Sequence, residues 1–257
     1  KIADKYNLKI ISDTAQAPGA LYKGKLAGTM GDIGGYSLNY HKHIHTDEGG
    51  IVVTNDDSLA ERVQLIRNHG EVVVEAKGVK KINNIIGSNF RLGEIESAIG
   101  IEQLKKLKGY AKSREKMANR LSEGLSSLDG LKTPVVKDNC SHVYYIYPLV
   151  LDIDKLGISK FKIADALHAE GVQVATEYQN IHLIPMYQNK TAYGSGGFPW
   201  TADFARKNIN YAKGICPVAE KLNDETYIGF GMCVYNLSED DNERNKIYGK
   251  EIHAAFD

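Results

Sequence analysis

Cysteine is scarce in this chain: Cys140, Cys216 and Cys233 are odd in number and far apart. A disulfide framework needs an even, closely spaced set, so a reducing cytosolic setting is expected instead. An excess of charge is missing too, because 32 basic side chains face 32 acidic ones. Binders of nucleic acid or of anionic membrane surfaces need a basic surplus to neutralise phosphates, so neither partner is expected. No run of about eighteen apolar residues occurs, so no helix that spans a bilayer is predicted. A signal peptide and an internal repeat are also absent, although the chain opens at Lys1 without a methionine and Ile2 to Asn7 reads as the tail of a helix. What is present is ordinary: 257 residues, 42% hydrophobic and 25% charged, enough for one large or two modest globular domains.

The stretch with the most chemistry is Tyr36-Ser-Leu-Asn-Tyr-His-Lys-His-Ile-His-Thr-Asp-Glu-Gly-Gly50, an apolar run that opens into histidines around Lys42. A lysine among polar residues is normally solvated. Held in a pocket and offered to a carbonyl cofactor such as pyridoxal phosphate, it becomes a Schiff-base catalyst. Such a cofactor also needs a carboxylate for its ring nitrogen and donors for its phosphate. Leu8 to Asp13 reads as a strand ending in an acid, Gln16 follows three residues later, and Ser37 offers a hydroxyl close to Lys42.

These residues carry a resemblance. Ile10-Ile-Ser-Asp13-Thr-Ala-Gln16-Ala, Gly31-Asp32 followed by Tyr36-Ser37, Lys42 six positions before Glu48-Gly-Gly50, Arg67-Asn-His-Gly70 and Gly87-Ser-Asn89-Phe-Arg91-Leu together resemble the DegT/StrS-type sugar aminotransferases. That family has the fold-type-I pyridoxal-phosphate architecture, an α/β fold with a mostly parallel sheet in the large domain and a smaller C-terminal α/β domain. The resemblance implies pyridoxal 5'-phosphate as cofactor, a nucleotide-linked keto sugar as substrate, and an amino-acid donor, glutamate. Asp13 would meet the ring nitrogen, Gln16 the ring substituents, Ser37 the phosphate, and Lys42 the aldehyde carbon. Asn89 would reach the phosphate of the neighbouring subunit's cofactor, which implies a homodimer with shared sites. It also implies a further N-terminal stretch with the first strands, a stacking aromatic and a phosphate loop, so the chain reads as the C-terminal part of a longer enzyme.

Along the chain, Ile10-Ile11, Gly34 to Leu38 and Ile51 to Thr54 are short buried-type strands, whose crossovers suggest parallel pairing. Their carboxyl ends would carry Asp13, the Lys42 region and Asn55, where open α/β sheets bind ligands. Asn55-Asp56-Asp57 caps a helix from Ser58 to Arg67, stopped at Gly70. Gly28, Gly31, Gly34 and Gly35 lack the dinucleotide-binding spacing and read as turns. Residues 71–90 read as a long loop. From Arg91 to Asp129-Gly130 an apolar stripe marks one long helix, with a possible bend near Gly109. The expected organisation is therefore 1–90 as part of a large domain, 91–130 as a bridging helix and 131–257 as a small domain. Within the last, the pattern predicts a strand from His142 to Leu151, a helix from Ser159 to Glu170 and a strand from Val172 to Thr176. A Gly/Pro-rich loop, a helix after Trp200, a strand from Tyr227 to Val234 and a helix from Ser238 complete it.

Two other readings compete. His41, His43 and His45 alternate, and on a strand they would share one face as zinc ligands. Some relatives in the family are dehydratases with histidine in place of the lysine, but counting back six from Glu48 lands on Lys42. Two positions depart from the family pattern: Asp47 stands where glycine is usual, and Glu177 precedes Tyr178 where histidine is common.

Overall fold

A computed structural model describes residues 1–71, 85–206 and 208–233. Residues 72–84 of the expected long loop and the expected helix from Ser238 lie outside the described residues. Two compact units are present. The first comprises, of the described residues, 1–71, 85–120, 135–145, 232 and 233; the second comprises the rest.

In the first unit, a short helix α1 (Ile2–Tyr6) leads into strand β1 (Ile11–Asp13). A hairpin of β2 (Leu21–Tyr22) and β3 (Lys25–Leu26) follows. Its two turn residues, Lys23 and Gly24, both have positive φ (50° and 75°), as a type I′ turn requires. Strand β4 (Ile33–Ser37) pairs in parallel with β1, Asp13 opposite Gly35, and β5 (Gly50–Val53) pairs antiparallel with β4. The sheet order is β1-β4-β5. Among the described strands the pairing is thus mixed, because the chain leaves β4 and returns through a short folded segment that reverses it; a parallel return needs a longer crossover. Two of the four glycines read as turns, Gly34 and Gly35, lie within β4. At Gly34 a Cβ would stand 2.0 Å from the carbonyl oxygen of Gly28, so the close approach of those two backbones admits no side chain.

Helix α2 (Asp57–Arg67) starts where the sequence suggests: the Asp56 carboxylate accepts from the backbone N–H of Ser58 and Leu59. Helix α3 (Glu94–Leu125) runs 32 residues as one element through Gly109, about 48 Å at 1.5 Å per residue. Its residues to Arg120 belong to the first unit, with Ala118 fully buried there. After α3 the chain comes back to the first unit over 135–145. There it is stitched to the hairpin by Lys23 N–H to Asn139 O, Ser141 N–H to Leu21 O and Leu21 N–H to Ser141 Oγ.

The second unit is built on an antiparallel sheet, β6 (Leu131–Lys132), β7 (Ile146–Leu151) and β8 (Tyr227–Gly231), in that order. Tyr147, Leu149 and Leu151 alternate inward on β7, the period-2 pattern of a half-buried strand. Short helix α4 (Ile153–Leu156) precedes α5 (Lys160–Ala169), capped by Ser159, which buries Ile163, Ala164 and Leu167. Helices α6 (Pro185–Asn189) and α7 (Pro217–Lys221) are single turns entered through proline at the first position, where its missing N–H costs nothing. Each large apolar side chain buried in this core contributes about 1.5–3 kcal/mol.

Three expected elements differ. The strand expected from His142 starts at Ile146, because Tyr144 adopts φ 49° and donates its N–H to His142 Nδ1, which breaks the extended run. The strand expected over Val172 to Thr176 is reduced to one bridge, Ala175 to Gly229. Directly after Trp200 the described residues 201–206 form no helix: Ala202 and Ala205 bond back only three residues, to Pro199 and Ala202, and the Trp200 indole donates to the Tyr211 hydroxyl.

Candidate active site

Ser37 ends β4 opposite Gly50 at the start of β5, so everything between them is a loop at one end of the sheet. This loop is folded on itself. Leu38 N–H donates to Gly49 O, Thr46 N–H to Leu38 O, Lys42 N–H to Asn39 O, and the Asn39 amide reaches Glu48 Oε1 at 2.6 Å. Leu38, Ile44 and Thr46 are buried beneath it. Gly49 is required by packing, since a Cβ there would meet Thr46 Oγ1 at 2.7 Å. Asp47 turns the loop with φ 71°, the left-handed region where the family's usual glycine is free of strain.

At the centre of this loop Lys42 is 9% exposed, far below what a lysine normally shows. Its Nζ lies 4.4 Å from the centroid of the Tyr145 ring. Beside it, His43 is 2% exposed and its Nε2 is 2.7 Å from the carbonyl oxygen of Val143. A carbonyl only accepts, so Nε2 carries the proton. Nδ1 is buried with no hydrogen-bond partner. Burial pushes the His43 pKa down to about 4, helped by the nearby positive charges of Arg114 and Lys42 and opposed by the Val143 bond. His43 is therefore neutral at physiological pH.

The other candidates are placed as follows. Asp13 ends β1, exposed, with Oδ1 accepting from Ala15 N–H at 3.0 Å, so one of its oxygens shapes the turn. Gln16 is exposed in the turn that follows. Ser37 Oγ accepts from Asn39 N–H at 3.2 Å, which leaves its hydroxyl proton to donate elsewhere. Because β1 and β4 are parallel, Asp13, Ser37 and the Lys42 loop share the carboxyl end of the sheet, where such sheets bind ligands. Asn89 belongs to a different segment, bridged to Asn68 beyond the end of α2, with its Oδ1 taking Arg91 N–H. A cleft of about 1240 Å³ over β4 and β5 is lined by apolar groups such as Ile51, Val53, Val63 and Phe90, and none of Asp13, Ser37 or Lys42 faces it.

The zinc geometry does not form. Residues 41–45 are turns and bends, not a strand, so His43 points inward, His45 is exposed, and His41 lies edge-on to Tyr40. Sequence reasoning missed Val143 and Tyr145, which meet the loop from a hundred residues away. The aromatic cluster Tyr144-Tyr145-Ile146-Tyr147 was the visible signal, but nothing in it says which ring faces a lysine.

The model of the DegT/DnrJ/EryC1/StrS aminotransferase family matches residues 1–227. The chain belongs to that family. An uncharacterised protein of Methanocaldococcus jannaschii is 33% identical over 237 residues, covering 89% of this chain and 59% of its own length. UDP-4-amino-4,6-dideoxy-N-acetyl-beta-L-altrosamine transaminase of Helicobacter pylori is 34% identical over 192 residues, 73% of this chain and 49% of that protein. The chain thus spans roughly half to three fifths of these family members. The solved aminotransferase from Psychrobacter cryohalolentis superposes with a TM-score of 0.82 at 25% identity, over 99% of this chain and 63% of that one. The fold is accordingly the α/β architecture of the fold-type-I aminotransferases, and among the described residues no helix is long and apolar enough to cross a membrane.

Proposed function

We propose that this family member carries the catalytic lysine and part of the cofactor site of a pyridoxal-phosphate enzyme that transfers an amino group from an amino acid, glutamate, to a nucleotide-linked keto sugar. The observation that supports it most directly is the burial of Lys42 in a loop at the carboxyl end of the β1–β4 pair, beside Asp13 and Ser37. The donor set fits the cofactor: a primary amine for its aldehyde, a carboxylate for its ring nitrogen and a strand-end hydroxyl for its phosphate. When bound, the cofactor supplies an electron-withdrawing ring that makes the transfer of nitrogen between carbon skeletons feasible.

The chain's own groups do the rest. Asp13 would hold the proton on the ring nitrogen through a charge-assisted hydrogen bond. Ser37 Oγ, which accepts from Asn39 N–H, would donate to a phosphate oxygen, and Gln16 would contact the ring substituents. Lys42 Nζ, as a free amine, would take the proton from the amino donor's Cα as general base and, as the resulting ammonium, would act as general acid toward the cofactor's aldehyde-derived carbon and not toward Cα. Asn89 reaches the partner subunit's cofactor phosphate, so the working unit is a homodimer with shared sites. The nucleotide-sugar substrate class is supported by the H. pylori relative's name, and the reducing cytosol is where such a substrate and so few cysteines fit together. The dehydratase alternative needs a histidine doing the work of the lysine; His43 is occupied by Val143 O and buried, which favours transamination.

Borohydride treatment of the cofactor-loaded protein should fix the cofactor covalently on the peptide that contains Lys42, read by peptide mass. Lys42→Ala should lose both this adduct and amino transfer. Transamination at near the original rate by Lys42→Ala would show the assignment to be wrong.

A further inference from the structure

The lysine loop meets a surface from far along the chain. His43 is bonded to Val143 O, which helps register the loop against 142–145. In this register the Tyr145 ring faces Lys42, its centroid 4.4 Å from Nζ, well inside the distance at which a ring face attracts an ammonium. The histidines stand at the ring's margin, with His41 at 5.9 Å and His43 at 6.3 Å between centroids. Among the described residues no carboxylate pairs with Lys42. An ammonium that is 9% exposed and without a carboxylate needs another source of negative potential, and the ring face is the one in contact.

We propose that Tyr145 is a positioning residue whose ring face seats the Lys42 ammonium. The seat does two things. It fixes the direction of the flexible four-carbon stem, so that Nζ waits at the end of the sheet and not in solvent. It also holds Nζ back from an electrophile, because the side chain must leave the ring face before its nitrogen can attack. Tyr145 therefore sets how readily an unoccupied Lys42 reacts. This inference deepens the aminotransferase reading and rests on it for its functional meaning, but the contact can be tested without turnover.

The test reads the nucleophilicity of one amine. Protein freed of carbonyl compounds with hydroxylamine is exposed to a trace of acetic anhydride at one fixed, mildly alkaline pH. Acetylation of Lys42 is then followed by peptide mass, with exposed Lys162 as internal standard. Phenylalanine and its mono-, di- and trifluorinated analogues at position 145 keep the ring's shape while draining its face of electron density. The Lys42 rate relative to Lys162 should climb stepwise along that series, by about tenfold from phenylalanine to the trifluoro analogue, and Tyr145→Leu should match or exceed the top of it. A series flat to within twofold overturns the proposal, even if Tyr145→Leu proves misfolded, because fluorination leaves packing nearly unchanged. Such a flat series would leave the aminotransferase reading untouched; that reading falls instead if Lys42→Ala still turns over.

Discussion

At the residue scale the loop depends on a histidine that must stay neutral. His43 has a pKa of about 4 in the folded chain against an ordinary 6.5, with burial as the main cause. The unfolded chain therefore binds a proton that the folded chain refuses, and stability falls as pH drops from 6.5 toward 4. At 1.36 kcal/mol per pKa unit the full loss is about 3 kcal/mol, nearly all incurred by pH 4 and none above pH 7. His142, lowered by its own burial, acts in the same direction. Urea titrations at pH 7.5 and pH 5 should show a lower midpoint at pH 5, and His43→Gln, which keeps a donor for Val143 O, should flatten much of that slope. An unchanged slope in the variant would mean that His43 is charged or solvated.

Among the elements, α5 shows how one side chain can anchor a helix. Lys160, its first residue, is 1% exposed, and its ammonium donates to Thr176 O at 2.5 Å and to Asn223 O. Burial lowers its pKa, and the carboxylates of Glu177 and Asp224 partly offset that. Lys160→Met fills similar space but leaves two buried carbonyls without a donor, each costing about 1–3 kcal/mol. A loss of about 3 kcal/mol is expected, seen as a fall in the thermal midpoint, with Lys160→Arg losing less because it keeps a cation and its donors. Glu177, which departs from the family pattern, lies close enough to favour the Lys160 charge, so its carboxylate has an electrostatic use in this unit.

For the whole molecule, the proposed sharing of sites gives the sharpest test. Asn89 is exposed, on a segment tied to Asn68 by paired backbone bonds, and not beside its own chain's Lys42 loop in any described contact. Mixed Lys42→Ala and Asn89→Ala proteins should regain some of the activity that each lacks, up to about a quarter of wild type when random dimers form, since one hybrid site then has both groups. Absence of any recovery with heterodimers demonstrated by mass would assign Asn89 a role within its own subunit.

Much of this protein was readable from local pattern. Asp56 as cap, α5 after Ser159 and the existence of the long helix α3, which covers 94–125 of the expected 91–130, rest on contacts within a few residues, which sequence spacing encodes. Lys42 and Asp13 stood out as candidates because their motifs are short and contiguous. The strand expected at Val172 and the helix expected after Trp200 were lost to partners distant in the chain, Gly229 and Tyr211. So were the two facts that give Lys42 its setting, the His43 bond to Val143 and the Tyr145 ring. Residue types and their spacing by themselves singled out Lys42 and Asp13 as the amine and the acid of the proposed chemistry. Only the tertiary structure decided what surrounds them, because burial and ring contacts depend on segments a hundred residues apart meeting in space, and no local periodicity records that.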